Sequence, residues 1–144
     1  MADKYDILKL KNQVCFPLYL CSKEIIRKYE PFLKDLDLTY TQYLVMMYFW
    51  EMESSNLKEL AKTLMIDPST LTPLLKKLEK KGYIRRVRSK EDERNLVITL
   101  TENGKALKDD ALIVPENLKK CVSLSEEETK TLYTLLRKIL NDVN

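Results

Sequence analysis

Three cysteines, Cys15, Cys21 and Cys121, are the only nucleophilic thiols in a 144-residue chain that contains no histidine. The missing imidazole excludes Ser-His and Cys-His catalysis and every histidine-based zinc site. No Cys-x-x-Cys occurs, and one chain cannot supply four thiolate zinc ligands. An odd number of cysteines does not read as a disulfide framework. What remains open is a reactive thiol. Only Gly82 and Gly104 are glycines, which argues against phosphate-cradling glycine loops and against a turn-rich all-β fold. No enzyme, metal or cofactor is expected.

The second chemical feature is charge. Formal net charge is +3. Between Lys76 and Arg94 there are nine Lys or Arg (76, 77, 80, 81, 85, 86, 88, 90, 94) and four acids (79, 91, 92, 93). That stretch is +5 and the remainder −2. Positive charge concentrated in one short segment is the footprint of a nucleic-acid contact.

These residues need elements to place them. Apolar residues recur at helical spacing from Ile7 to about Leu36, interrupted by Pro17 and Pro31, and residues 1–6 read as a loose tail. Thr39-Tyr40-Thr41-Gln42 is a capping-box pattern opening a helix over about 40–52, apolar nearly all round and therefore buried. Asn56-Leu57-Lys58-Glu59 caps a short helix ending near Met65. Asp67-Pro68 opens the next, with Asp as N-cap and Pro as first helical residue, closed by Gly82. Tyr83–Val87 and Leu96–Leu100 alternate as two strands of a hairpin with a polar tip. Thr101 caps a helix of about 102–114, and Ser125-Glu126-Glu127-Glu128 opens a last helix to about Leu140. No run of roughly 18 apolar residues exists to span a membrane. The polar N-terminus does not read as a signal peptide, and the expectation is a cytoplasmic protein.

Helix, turn, helix, glycine and basic hairpin form the layout of a winged helix-turn-helix. The fold class expected is mainly α with a small β-hairpin. Ser69, Thr70 and Thr72 at the start of the second helix are small enough to approach base edges in the major groove, and Lys76 reaches the backbone. The long cations Arg86, Arg88, Lys90 and Arg94 lie on the hairpin, where a wing tip meets the minor groove or its phosphates. Asp92 can hold Arg94 extended by an ion pair.

The run from Asp67 to Ile84 resembles the recognition-helix signature of the MarR family of bacterial regulators. Ser89-Lys90-Glu91-Asp92-Glu93-Arg94 is similar to that family's wing tip, and Leu100-Thr101-Glu102-Asn103-Gly104 to the start of its next helix. The resemblance covers nearly the whole chain. It implies one domain over 1–144, with a winged helix-turn-helix at 56–100. Residues 7–36 and 102–142 would supply a homodimer interface, and pseudo-palindromic double-stranded operator DNA would be the partner. It also implies repression.

Asn12 to Tyr19 resembles one subgroup, the OhrR-type organic-peroxide sensors. This implies that Cys15 is the sensing cysteine, with Tyr19, Tyr29 and Tyr40 as hydrogen-bond partners of its thiolate. Oxidation then releases the DNA. Some members carry a second cysteine, which makes Cys121 a resolving thiol toward the other subunit; others use a small thiol instead. Cys21 has no such context and reads as structural. The chemistry is consistent: sensing needs an accessible thiolate, and phenols can donate to it. Tyr19 lies one turn from Cys15 on a helix. Tyr29 lies about 21 Å along a straight helix, so it meets Cys15 only if the helix breaks or from the other subunit, and the latter is expected. The alternative is a MarR-type repressor released by a small phenolic ligand, with the cysteine incidental.

Overall fold

The computed structural model describes residues 3–144. Residues 1 and 2 of the expected tail lie outside that range. From Asp3 the chain turns at once, with Asp6 N–H donating to the Asp3 carbonyl at 2.9 Å, and two 3₁₀ turns follow at Asp6–Leu8 and Leu10–Asn12.

Helix α1 (Cys15–Lys34) runs without a break. Pro17 falls in its first turn, where a missing N–H costs nothing. Pro31 sits inside and does not end it. The carbonyl it leaves without a donor belongs to Arg27, an exposed residue whose backbone water can serve. The helix closes at Asp37, which takes a left-handed conformation (φ 53°), while Leu38 N–H returns to the Leu33 carbonyl at 3.1 Å. Helix α2 (Tyr40–Met52) carries the expected capping box. Gln42 N–H donates to Thr39 Oγ1 at 3.2 Å, and Thr39 N–H to Gln42 Oε1 at 3.0 Å. It is the central element, burying Tyr43, Val45, Met46 and Phe49.

The hairpin expectation is enlarged by a third strand. Strand β1 (Ser54–Asn56) pairs antiparallel with β3 (Leu96–Leu100), which pairs on its other side with β2 (Ile84–Arg88), giving the order β1-β3-β2. Helices α3 (Leu57–Leu64) and α4 (Pro68–Lys80) form the helix-turn-helix between them. Asn56 caps α3 by accepting from Glu59 N–H at 2.8 Å. Asp67 occupies the N-cap position of α4, but its carboxylate makes no capping bond.

The single helix expected over 102–114 is two. Helix α5 (Glu102–Ala111) and α6 (Ile113–Cys121) meet at Leu112. Pro115 has no N–H to offer the Ala111 carbonyl, so it falls in the first turn of a new helix rather than the interior of the old one. Helix α7 (Glu126–Asp142) starts at a second capping box on Ser125 and Glu128. The buried apolar residues extend from Leu33 to Val114. Among the described residues, α7 buries none.

Candidate DNA-reading face and thiol switch

Helix α4 is held by one face. Leu71, Leu75 and Leu78 are fully buried against Phe49, Leu60 and Ile98 in the same core. The opposite face carries Ser69, Thr70 and Lys76 into solvent. Thr72 is half-buried, and its hydroxyl donates to the Pro68 carbonyl at 2.8 Å. Its proton is therefore spent inside the helix, leaving an acceptor and a methyl group to face outward. Burial of three leucines on one side fixes which residues the helix can present.

The wing follows from the αL turn at Gly82 (φ 83°). Thr101 anchors its base, donating to the Gly82 carbonyl and accepting from Gly104 N–H at 3.1 Å. At the tip, Arg88 Nη1 donates to the Glu93 carbonyl at 2.9 Å, folding the loop over itself. Asp92 accepts from Arg94 N–H at 3.1 Å, and its carboxylate lies 3.9 Å from Arg94 Nε. The Arg94 side chain is 94% exposed, and Lys90 is exposed beside it. The tip thus presents Lys90 and the Asp92-paired Arg94 to solvent.

Arg86, expected among the DNA contacts, is paired within the chain. Its side chain is only 17% exposed and turns back onto α4, where Nε and Nη2 donate to Glu79 Oε1 at 3.2 and 3.0 Å. Its backbone N–H donates to Glu79 Oε2 at 2.8 Å. That amide bond and the guanidinium hold the Glu79 carboxyl below the usual carboxylate range. Two of the guanidinium's donors are thereby committed to a carboxylate within the chain. The one acid in the first half of the basic run, Glu79, was the signal for this pairing.

The thiols lie elsewhere. Cys15 is the first residue of α1 and Cys121 the last of α6; both are free and exposed, as is Cys21. Tyr19, one turn beyond Cys15, is 61% exposed, with Lys23 Nζ 5.6 Å from its ring centre. Tyr29 and Tyr40 are brought together, ring centres 4.9 Å apart, where α1 crosses the start of α2. Tyr43, unmarked in the sequence, completes the cluster at 5.9 Å from Tyr29. Burial, with the neighbouring phenols adding to it, pushes Tyr29 from the ordinary 10.0 up to about 12. Tyr40 and Tyr43 are also raised, chiefly by burial. All three remain protonated O–H donors at neutral pH. Because α1 is unbroken, Cys15 and Tyr29 of one chain stay about 21 Å apart along it.

Comparison with known proteins agrees with this geometry. The family model for the SarA/Rot transcriptional regulators matches residues 27–111. A Bacillus subtilis protein, the organic hydroperoxide resistance transcriptional regulator, is 43% identical over 143 residues, 96% of this chain and 97% of its own. The chain belongs to the SarA/Rot regulators of the MarR type. Among solved structures, this regulator is similar to reduced AbfR bound to DNA, a protein of Staphylococcus epidermidis, at 36% identity and TM-score 0.80, covering 98% of this chain and 99% of that one. The disulfide form of AbfR, also 36% identical and covering 97% of this chain and 95% of that one, superposes less well, at 0.66. Overoxidized AbfR bound to DNA matches equally well, at 0.80, so the regulator's conformation is nearer to the DNA-bound forms than to the disulfide form.

Proposed function

We propose that the protein is a redox-sensing repressor that binds pseudo-palindromic operator DNA as a homodimer and is released when an organic hydroperoxide oxidises Cys15. The observation that carries this reading is the position of Cys15: exposed, at the head of α1, among apolar residues that none of the described residues covers. Ile7, Leu8, Val14 and Leu18 are all exposed there, as are Tyr133, Leu135 and Ile139 on α7. A second copy burying both ends forms the interface from residues 7–36 and 102–142. The segment 56–100 is left free to read DNA. Ser69, Thr70 and Thr72 face base edges, Lys76 and Arg88 face phosphates, and Lys90 and Arg94 enter at the wing. No helix among the described residues is long and apolar enough to cross a membrane. In this reading the protein works in the cytoplasm.

The chemistry is balanced without a cofactor. The Cys15 thiolate attacks the distal peroxide oxygen, breaking the O–O bond. The products are a Cys15 sulfenic acid and, after protonation, an alcohol. A second thiol then displaces water to form a disulfide. Cys121 of the partner subunit is that thiol in this reading. The solved disulfide-formed and DNA-bound AbfR structures support a redox mechanism of this kind. The unbroken α1 supports Tyr29 and Tyr40 acting on Cys15 from the partner subunit, with Tyr19 acting from its own helix. Oxidation replaces the hydrogen-bonded thiolate, the interface rearranges, and the two recognition helices no longer match half-sites one DNA turn apart.

The test is operator binding titrated against cumene hydroperoxide. Wild-type protein is released, Cys15→Ser is not, and Cys121→Ser loses the dimer band on a non-reducing gel. Release that is indifferent to Cys15→Ser overturns the redox reading. An intact band from Cys121→Ser overturns only the pairing. One observation favours a ligand instead: a cavity of about 880 Å³ lies between α1, α2 and α4, lined by Leu33, Tyr40 and Lys77 among others. Release by salicylate in the Cys15→Ser variant would establish that second reading.

A further inference from the structure

We infer that Glu79 and Arg86 are a positioning pair that sets the wing against the recognition helix, and that Arg86 makes no DNA contact of its own. This rests on the DNA-binding reading above.

Three residues, Lys81-Gly82-Tyr83, join α4 to β2, and Gly82 among them has the conformation that tolerates rotation most readily. Strand β2 is an edge strand. Thr101 N–H donates to the Tyr83 carbonyl and Ser89 N–H to the Asn95 carbonyl, which puts the odd-numbered residues of β2 in the bonded register with β3. The Arg86 amide therefore points to the open edge, where Glu79 accepts it. Both oxygens of that carboxylate are occupied by one residue, through its amide and its guanidinium fork. The last turn of the recognition helix is tied in this way to the middle of the wing.

The tip lies four residues beyond, from Arg86 to Lys90, roughly 13 Å at about 3.3 Å per residue. A tilt of about 10° there moves the tip by roughly 2 Å, enough to break a phosphate hydrogen bond. Helix and wing must engage one duplex together, so a loose wing costs affinity although neither member of the pair touches DNA.

Charge gives the opposite expectation, and this makes the inference testable. Removing an acid from a DNA-facing helix should, by electrostatics alone, tighten binding. Positioning predicts that it loosens. The measurement is the Kd of the reduced dimer, by fluorescence anisotropy at fixed salt. The probe is a duplex selected by the wild-type protein from a random-sequence pool.

Glu79→Ala is expected to weaken binding about tenfold, the equivalent of one lost charge-assisted hydrogen bond. In an Arg94→Ala background, where the wing-tip contact is already gone, the same change costs less than about twofold, because coupled sites are not additive. Arg86→Met leaves the salt dependence of binding unchanged. Glu79→Gln, which keeps the shape and one acceptor, is expected to give a smaller loss with the same non-additivity, and it carries the test alone if Glu79→Ala does not fold.

Unchanged or tighter binding by both Glu79 variants overturns the inference. So does equal loss in both backgrounds, and so does a salt slope lowered by about one in Arg86→Met, the mark of a direct phosphate contact. If the wild-type protein selects no duplex at all, the DNA-binding reading fails and the pair loses its role with it.

Discussion

Replacing Gly104 by alanine tests whether the wing base and the central helix are locked through one small residue. Gly104 lies in the first turn of α5 and is buried. A Cβ built there falls 2.2 Å from the Tyr83 carbonyl oxygen and 2.6 Å from Leu100 Cδ1. Side-chain Cβ atoms essentially never approach within 3.0 Å, so the carbonyl must recede by roughly 0.8 Å. It is not free to do so, because it accepts Thr101 N–H at 3.1 Å. The alternative is to tilt α5, which strains the bond from Trp50 Nε1 to the Gly104 carbonyl, 2.8 Å long, across the core. Overpacking costs about 1–3 kcal/mol, and one lost hydrogen bond adds about 1 kcal/mol. Better helix propensity returns up to about 1 kcal/mol. The expected net loss is about 1–3 kcal/mol. Urea denaturation of reduced wild-type and variant protein at equal concentration measures it, since dimer stability depends on concentration. A midpoint equal to or above that of the wild type would refute the packing argument, because propensity would then have outweighed the clash.

Stability should also fall in alkali. The folded-state values of Tyr29, Tyr40 and Tyr43 lie above the ordinary 10.0, so their contribution is complete below pH 10 and is lost above it, for Tyr29 as pH rises through about 12. Tyr29→Phe should flatten that decline, and a variant that declines as steeply as wild type contradicts the buried-phenol assignment. Hydrogen exchange before and after hydroperoxide treatment should change protection in α1, α6 and α7 while the β2–β3 ladder keeps its own. Loss of that ladder would mean that oxidation unfolds the reading head rather than repositioning it.

Local chemistry was legible in the sequence and long-range pairing was not. The caps at Thr39, Asn56, Thr101 and Ser125 each bond to a backbone N–H three residues on, so spacing alone reveals them. Strand β1 is Ser-Ser-Asn, with no β preference. It exists because Ser54, Ser55 and Asn56 find Thr99, Ile98 and Val97 of β3 some forty residues away. Arg86 shows the same limit at the site. As one of nine cations it reads as a DNA contact, and its pairing with Glu79 becomes visible in the fold. Ser69, Thr70 and Lys76 were legible as a face because the burial of Leu71, Leu75 and Leu78 follows from helical period. Tyr29 and Tyr40 could be named from the resemblance, but their contact depends on the crossing of α1 and α2.

The division between reader and switch has a physical origin in where the core lies. The buried apolar residues begin at Leu33 and end at Val114, so the chain completes its own interior without either end. The winged helix-turn-helix draws its packing from this interior. Helix α7, seventeen residues long and burying none of them, gains little from packing, the main source of helix stability in proteins. Its exposed Leu132, Leu135 and Ile139 make a face whose stability must come from elsewhere. Cys15 stands in the other uncovered segment. Chemistry at that sulfur therefore acts on the weakest part of the assembly, where a change of a few kcal/mol can alter how two copies sit together. The same change inside the core would have to compete with the burial of Phe49, Leu60, Leu75 and Ile98. A thiol placed there would unfold the reader when oxidised; placed at the uncovered end, it can reposition an intact one.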